Sequence, residues 1–163
     1  MDFKAAILTA SDKGSAGERE DLSGLALERL LISSNIVVVK RIIVPDEREL
    51  IANTLIDLCD NLKVDLILTT GGTGFSPRDI TPEATKDVID REASGIPEAM
   101  RQKSLEITNR AMLSRAIAGI RNRALIINMP GSPKAVTECF EIISPVLLHA
   151  LEILTGIGGE CAR

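Results

Sequence analysis

The chain has 163 residues, near the commonest length of a single domain, and 45% of them are hydrophobic. Its formal charge of -4 and pI near 5.1 argue against a broad phosphate-backbone binder, which usually carries a basic face. The only aromatic residues are three phenylalanines, so stacking platforms for single-stranded nucleic acid are nearly absent. We therefore predict one domain over residues 1–163 and no nucleic-acid partner.

Cysteine and histidine are too sparse for the chemistry that they usually carry. Cys59, Cys139 and Cys161 lie far apart without a CxxC pair, which disfavours both a disulfide framework and a structural zinc site. The single histidine, His149, lies in an apolar segment, where a surface or packing role is commoner than catalysis. We find no signal peptide and no apolar run of membrane-spanning length, which predicts a cytoplasmic protein without a membrane partner.

Four short apolar runs along the chain predict β-strands. They cover residues 3–10, 36–44, 64–70 and 124–129. Most are rich in Ile, Val and Leu without strict alternation, which is typical of parallel strands covered on both faces. Segments with helical spacing lie between them, so we predict an α/β fold: a three-layer α/β/α sandwich with a mostly parallel central sheet. Residues 114–129 could form a hairpin that adds one antiparallel strand.

Several helix starts carry recognisable capping signals. Asp46 followed by Glu49 fits a capping box, and Thr81-Pro82 and Ser132-Pro133 each place a hydroxyl before a proline. Ser144-Pro145 repeats that pattern and predicts a break between two C-terminal helices. The apolar stripes of these two helices are Val136, Phe140 and Ile143, and Leu147, Leu151 and Leu154.

Polar and glycine-bearing loops follow the predicted parallel strands, at residues 9–12, 44–46, 69–79 and 128–133. In a parallel α/β sheet these loops share the edge at which ligands bind. The loop with Gly71, Gly72 and Gly74 is neither a Walker A loop nor GxGxxG, since Pro77 occupies the third glycine position. It fits a loop whose backbone N–H groups approach an anion, although a tight turn that needs positive φ would also explain it. The helix start at Ser132 is a second favourable anion site, or an ordinary cap.

Three aspartates converge on the same edge. Asp46 could simply cap a helix and Asp12 could simply form a turn, but Asp79, beside Arg78, has no such local role. Carboxylates beside a phosphate-binding loop are useful chiefly when Mg²⁺ bridges them to the ligand. Without a histidine base or thiolate, the reaction should use a nucleophile that arrives already ionised, such as a phosphate-bearing acceptor.

The glycine loop and the residues after it resemble the signature of the MogA-type molybdopterin adenylyltransferases. This stretch covers residues 69–85. Four further stretches match in the family's order: residues 11–12, 45–47, 112–115 with 118–121, and 128–133. The resemblance spans nearly the whole chain and extends to the G domains of gephyrin and its plant counterpart. Small departures are Ser94, where relatives often have proline, and Met129 in place of leucine.

The resemblance implies Mg²⁺-dependent transfer of AMP from ATP to the terminal phosphate of molybdopterin, with release of pyrophosphate, in molybdenum cofactor biosynthesis. It makes Asp46 and Asp79 the catalytic and metal-binding residues. It assigns nucleotide and phosphate binding to Asp12, Gly71, Gly72, Thr73, Gly74, Pro130, Gly131, Ser132 and Pro133. It assigns substrate binding to Ser11, Arg78, Ser114 and Arg115. It also implies a homotrimer and a molybdenum insertase that is a separate protein.

Two other functions stay open at this point. One is a MoaB-like paralogue that binds pterin or nucleotide with little activity, and the other is a non-catalytic trimeric scaffold. The presence of both Asp46 and Asp79 favours the enzyme over a scaffold, which would not need them.

Overall fold

A computed structural model describes residues 2–157, and its centre is one six-stranded sheet in the order β2-β1-β3-β6-β5-β4. The strands are β1 (Lys4–Ala10), β2 (Val37–Val44), β3 (Leu66–Thr70), β4 (Arg91–Glu92), β5 (Ala118–Arg121) and β6 (Ala124–Met129). Strands β1, β2, β3 and β6 are parallel, and β5 runs antiparallel to both of its neighbours. The structure confirms the mostly parallel sheet and its antiparallel strand. It also confirms all four predicted strands, with bounds that differ by at most two residues at each end. The two-residue strand β4 is too short to show a pattern and was not predicted.

Helices cover both faces of the sheet, which confirms the three-layer sandwich. They are α1 (Asp12–Ser15), α2 (Leu22–Ser33), α3 (Arg48–Asp60), α4 (Thr81–Val88), α5 (Gly95–Leu105) and α6 (Pro133–Thr155), with a 3₁₀ helix at Asn109–Leu113. Helices α2, α5 and α6 pack on the face that carries Ile7, whereas α3 and α4 pack on the face that carries Leu8. Within residues 2–157, no helix combines the length and apolarity needed to cross a membrane.

One of the three predicted helix caps is confirmed and two are wrong. Ser132 caps α6 by accepting from the Ala135 N–H at 3.2 Å. Asp46 is not a cap, because α3 begins after Glu47 and the Asp46 carboxylate instead accepts from the Asp12 N–H at 3.0 Å. Thr81 is already inside α4, since Ile80 occupies the cap position. A contact with a distant loop displaced the local signal at Asp46, whereas the Thr81 N–H donates at 3.1 Å to the carbonyl of Gly72, in the loop directly before α4.

The predicted break at Ser144-Pro145 is also wrong, because α6 runs unbroken through Pro145. Its apolar stripe is buried from Val136 to Leu151, so both halves pack against the same sheet face. Packing therefore outweighs the hydrogen bond that a proline removes. The carbonyl of Glu141, which the proline leaves without its helical donor, accepts from the Ser144 hydroxyl at 3.4 Å.

Replacing the exposed Pro145 by alanine is expected to stabilise the chain. Alanine restores the missing helical N–H and removes the proline ring, a penalty of up to about 3 kcal/mol in a helix interior. Urea unfolding of the variant and wild type should give a higher midpoint for Pro145→Ala. A lower midpoint would mean that proline suits the backbone of α6 at this position better than alanine does.

Candidate functional site

A cavity of about 520 Å³ opens where the strand order reverses. Strand β1 has β2 on one side and β3 on the other, so the loops that leave β1 and β3 diverge and open a crevice. Eight residues predicted to form the site line this first cavity: Ser11, Asp46, Gly71, Gly72, Asp79, Gly131, Ser132 and Pro133. The fold therefore brings together residues from four separate loops.

Close backbone approach explains the glycines at the start of the loop after β3. Gly71 has φ of +89°, and a Cβ there would lie 2.4 Å from the carbonyl oxygen of Ala10. Gly72 has φ of +69°, and its Cβ would lie 2.3 Å from the Thr81 hydroxyl oxygen. Both positions need glycine for conformation and space alike. The requirement for a tight turn thus explains both glycines. Because both also line the cavity, their backbone N–H groups could in addition contact an anion.

The two glycine-bearing turns are held against each other. The Thr70 hydroxyl donates to the carbonyl of Pro130 at 2.7 Å. A Cβ on Gly131 would lie 3.4 Å from the Cα of Gly71, so the turns are in van der Waals contact. Ser132, which caps the 23-residue helix α6, lines the cavity beside them. The positive end of the α6 dipole therefore reaches the cavity next to the glycine loop.

Asp46 and Asp12 bind each other's backbone. The Asp46 carboxylate accepts from the Asp12 N–H and the Asp12 carboxylate accepts from the Asp46 N–H, both at 3.0 Å. Burial raises the pKa of Asp46, and the negative charges of Asp12 and Asp79 raise it further. The hydrogen bond from the Asp12 N–H lowers this pKa but does not outweigh the other effects. Asp79 accepts from the Ser76 N–H at 2.9 Å and lines the same cavity. The cavity wall thus carries a concentrated negative charge, which disfavours ionised Asp46.

Arg78 compensates part of this charge. Its guanidinium makes two hydrogen bonds to Asp12, at 2.9 and 3.0 Å, and one to Glu47 at 3.0 Å. The hydrogen bond from Arg78, with that from the Asp46 N–H, lowers the pKa of Asp12. Asp12 and Arg78 are not among the residues that line this cavity, and they contact Asp46 and Glu47 from outside its lining.

The carboxylates fit a magnesium ion held jointly with a ligand. In the described part of the chain, no cluster of three or more His, Cys, Asp or Glu side chains forms a metal site. Mg²⁺ is, however, commonly held by one or two carboxylates together with substrate phosphates and water. Asp46 and Asp79 supply two such carboxylates in one cavity. A cation there would relieve the repulsion that raises the pKa of Asp46.

A second cavity of about 460 Å³ lies on the other side of the glycine loop. Its predicted site residues are Thr73, Gly74, Ser114, Pro130 and Ser132. Its unpredicted lining includes Arg101 and Ser104 of α5, Arg110 and Thr108 near the 3₁₀ helix, and the exposed ring of Phe75. Ser132 lines both cavities, so they meet at the start of α6. The second cavity combines apolar walls with two arginines and Glu138, so it offers both apolar and charged contacts to a ligand.

Sequence reasoning missed α5 and the 3₁₀ helix because residues 89–113 show neither a strong stripe nor a clear cap. In the first cavity it missed Asp21, which caps α2 by accepting from the Gly24 N–H at 3.0 Å and also accepts from the Thr9 hydroxyl. An aspartate directly before an apolar periodic segment is a signal that could have found it. Arg19 of this cavity and Arg101 of the second were likewise not predicted as site residues.

Arg115 lines neither cavity. Its guanidinium donates to the carbonyls of Gly74 and Asp79, each at 2.8 Å, and pairs with Glu83 of α4. Its backbone N–H donates to the carbonyl of Thr73 at 2.9 Å. The structure thus occupies Arg115 with the glycine loop, and the substrate-binding role implied by the resemblance stays a prediction.

Asp46→Asn is expected to raise stability at neutral pH. A carboxyl whose pKa is raised on folding binds its proton more tightly in the folded state, so stability falls as pH rises above the unfolded value of 3.8. Asparagine stays neutral and still offers an oxygen to the Asp12 N–H. Thermal melts should show a higher Tm for the variant at pH 7 and a smaller difference below pH 3.8. A lower Tm at pH 7 would mean that the ionised carboxylate stabilises the fold.

A crevice at the sheet edge, with a glycine loop beside a helix N terminus, is typical of α/β proteins that bind phosphate groups. Residues 6–149 match the family model described as a probable molybdopterin binding domain. The chain belongs to this family, which confirms the resemblance found in the sequence.

Curated relatives agree over most of the chain. It is 47% identical to the molybdopterin adenylyltransferase of Helicobacter pylori strain J99, covering 92% of this chain and 86% of that protein. It is 42% identical to the molybdopterin adenylyltransferase of Escherichia coli K12, covering 85% and 72%. Gephyrin of Dictyostelium discoideum is 44% identical over 91% of this chain, which spans only 22% of that much longer protein.

Solved structures share the fold. The molybdopterin biosynthesis enzyme MoaB of Thermus thermophilus is 49% identical, with a TM-score of 0.90 over 94% of this chain and 97% of that one. A MogA structure is 36% identical, with a TM-score of 0.88 over 93% and 99%. Both MogA-like and MoaB-like proteins are therefore close in sequence and structure to this chain.

Proposed function

We propose that this chain is a molybdopterin adenylyltransferase that transfers AMP from ATP to the terminal phosphate of molybdopterin and releases pyrophosphate. The observation that carries the proposal is the meeting of Asp46, Asp79, the glycine loop and the N terminus of α6 in one cavity. Relatives with this activity in their names are 42% and 47% identical to the chain. The function belongs to molybdenum cofactor biosynthesis.

The first cavity is proposed to hold the nucleotide. Backbone N–H groups of residues 71–74 and 131–133 would contact its phosphates, together with the α6 dipole. Asp46 and Asp79 would hold Mg²⁺ in this cavity, and the ion would supply neutralisation of the phosphate charge. Asp12 would hold the Asp46 backbone, and Arg78 would balance the charge of Asp12.

The second cavity is proposed to hold the pterin. Phe75 and Met100 offer apolar contact to a flat ring, and Arg101, Arg110 and Ser114 offer polar contact to its anionic groups. Because the two cavities meet at Ser132, the terminal phosphate of the pterin would lie next to the α-phosphate of the nucleotide. This arrangement would bring acceptor and donor together for the transfer.

The proposed step needs positioning and no protein base. An ionised oxygen of the pterin phosphate attacks the α-phosphorus, and the bond between that phosphorus and the bridging oxygen to the β-phosphate breaks. The leaving pyrophosphate keeps the bonding electrons, and no proton has to be removed from the nucleophile. The residues of the two cavities would hold the pterin phosphate next to the nucleotide, with the N–H groups of the glycine loop directed towards the phosphates.

Four further parts belong to the proposal. A homotrimer and a separate molybdenum insertase that consumes the product follow from the family resemblance. A single domain over residues 1–163 follows from the chain length, and a cytoplasmic location from the absence of a signal peptide and of a membrane-spanning run in the sequence. Sedimentation of the purified protein tests the first of these directly.

Turnover of the full chain with molybdopterin, ATP and Mg²⁺ tests the function, with pyrophosphate and adenylylated pterin both measured. We expect the two products in equal amounts and none when Mg²⁺ is chelated. Saturable binding of pterin or ATP without product would contradict the proposal and favour the MoaB-like paralogue. Binding of neither ligand by a folded trimer would favour the scaffold.

A further inference from the structure

The segment from Gly74 to Asp79 is a closed turn whose two ends lie together. The Asp79 carboxylate accepts from the Ser76 N–H inside the turn at 2.9 Å. A Cβ on Gly74 would lie 2.9 Å from the same carboxylate, so Asp79 folds back over the start of the turn. Most of the turn is exposed, with the Phe75 ring 68% accessible. Few packing contacts therefore hold Asp79 in the cavity wall.

One guanidinium holds both ends of this turn. Arg115 Nε donates to the Gly74 carbonyl and Nη2 donates to the Asp79 carbonyl, each at 2.8 Å. These contacts join residues that are 41 and 36 positions apart in the chain. A planar fork with fixed donor directions can bridge two carbonyls in this way, whereas the single ammonium of lysine cannot reproduce its geometry.

Helix α4 anchors the guanidinium. Arg115 Nη1 pairs with Glu83 in the first turn of α4, and both side chains are one-third exposed. Burial raises the pKa of Glu83, but the hydrogen bond and charge of Arg115 outweigh it and lower the pKa. Glu83 is therefore ionised at neutral pH. The turn is tied through Arg115 to a rigid helix.

From this geometry we propose that Arg115 is a positioning residue that holds Asp79 in place, and not a residue that contacts the pterin. The proposal rests on the proposed function for the role of Asp79. It agrees with the absence of Arg115 from the lining of either cavity, although its neighbour Ser114 lines the second. Arg115 thus acts on the reaction through the Gly74–Asp79 turn.

The test compares Arg115→Lys and Arg115→Gln with Arg121→Gln. Arg121 is a matched control, because its guanidinium also bridges a carboxylate, Asp60, and a backbone carbonyl, that of Val88, at the opposite sheet edge. For both Arg115 variants we expect kcat to fall by about 10–100-fold while KM for molybdopterin changes by less than about twofold. Arg121→Gln should lose thermal stability and keep the wild-type kcat.

Amide hydrogen exchange of Ser76 gives a second measurement that needs no turnover. The Ser76 N–H is bonded to Asp79, so its exchange should accelerate in the Arg115 variants and stay unchanged in Arg121→Gln. This measurement also separates the two proposals. If the wild-type chain makes no product, the proposed function fails, and Ser76 exchange still tests whether Arg115 holds the turn.

Two results would overturn the positioning role. A rise in KM for molybdopterin of about tenfold or more, with kcat and Ser76 exchange unchanged, would make Arg115 a direct substrate contact. A loss of thermal stability alone, equal to that of Arg121→Gln, would make it a structural ion pair. Glu83→Gln, which removes the negative charge of the anchor on α4 but keeps an acceptor oxygen, should shift kcat and Ser76 exchange in the same direction as the Arg115 variants, by a smaller amount.

Discussion

Asp79→Asn is expected to reduce adenylyl transfer by about 10²–10³-fold while the fold stays intact. Asparagine can still accept from the Ser76 N–H, so the turn that carries residue 79 should keep its shape. The substitution removes one of the two carboxylates proposed to hold Mg²⁺ in the first cavity. Steady-state turnover at several Mg²⁺ concentrations measures the effect, together with a thermal melt.

Asp57→Asn is the matched control for this experiment. Asp57 is exposed on α3 and its carboxylate accepts only from the nearby Asn61 side chain at 2.7 Å among the described hydrogen bonds. The Asp57→Asn substitution changes the formal charge by the same amount as Asp79→Asn, and Asp57 lines neither cavity. Turnover of Asp79→Asn that stays within about threefold of Asp57→Asn would remove Asp79 from the reaction.

Gly71→Ala is expected to destabilise the chain by about 3 kcal/mol or more and to abolish turnover. The left-handed conformation alone is costly for alanine, and the new methyl would lie 2.4 Å from the Ala10 carbonyl oxygen. That oxygen belongs to the end of a central strand, so it cannot move aside cheaply. The expected fall in Tm is about 10 °C for a chain of this size.

Two other glycines separate the causes of this loss. Gly17 has φ of +75° with open space around its Cβ position, so Gly17→Ala measures the conformational cost alone. Gly95 also has open space and lacks a left-handed φ, so Gly95→Ala should be neutral or slightly stabilising. Equal losses in Gly71→Ala and Gly17→Ala would show that the contact with Ala10 is relaxed at little cost.

The two expected effects differ in kind because the loop does two things. Gly71 and Gly72 let the backbone turn against β1 and α4, which is a requirement of the fold. Asp79 comes later in the same loop, and its chief contact within the protein is with the loop itself. Substitutions in the first half of the loop should therefore lower both stability and activity, and Asp79→Asn should lower activity alone.

Local sequence was sufficient for the sheet and for part of the site. The apolar runs predicted four strands because a parallel strand buried on both faces needs continuous apolar residues, which a sequence shows directly. Ser132 was predicted as a cap because its partner, the Ala135 N–H, is only three residues away. The glycine loop was recognisable for a similar reason, since its three glycines lie within four residues.

Tertiary contacts decided what the local signals could not. Asp46 carries a capping pattern, yet its carboxylate accepts a hydrogen bond from the backbone N–H of Asp12, 34 residues away. Pro145 carries a breaking signal, yet burial of the stripe from Val136 to Leu151 keeps α6 whole.

The sequence by itself therefore determined the α/β class, the family and the loops that meet at the sheet edge, because these depend on burial patterns and on contiguous motifs. Only the tertiary structure decided the second cavity, which draws its lining from the glycine loop, α5, the 3₁₀ helix and the start of α6. It also decided the position of Arg115 against Gly74, Asp79 and Glu83, at least 32 residues away. Contacts at such separations depend on how the helices pack on the sheet, and no local propensity encodes them.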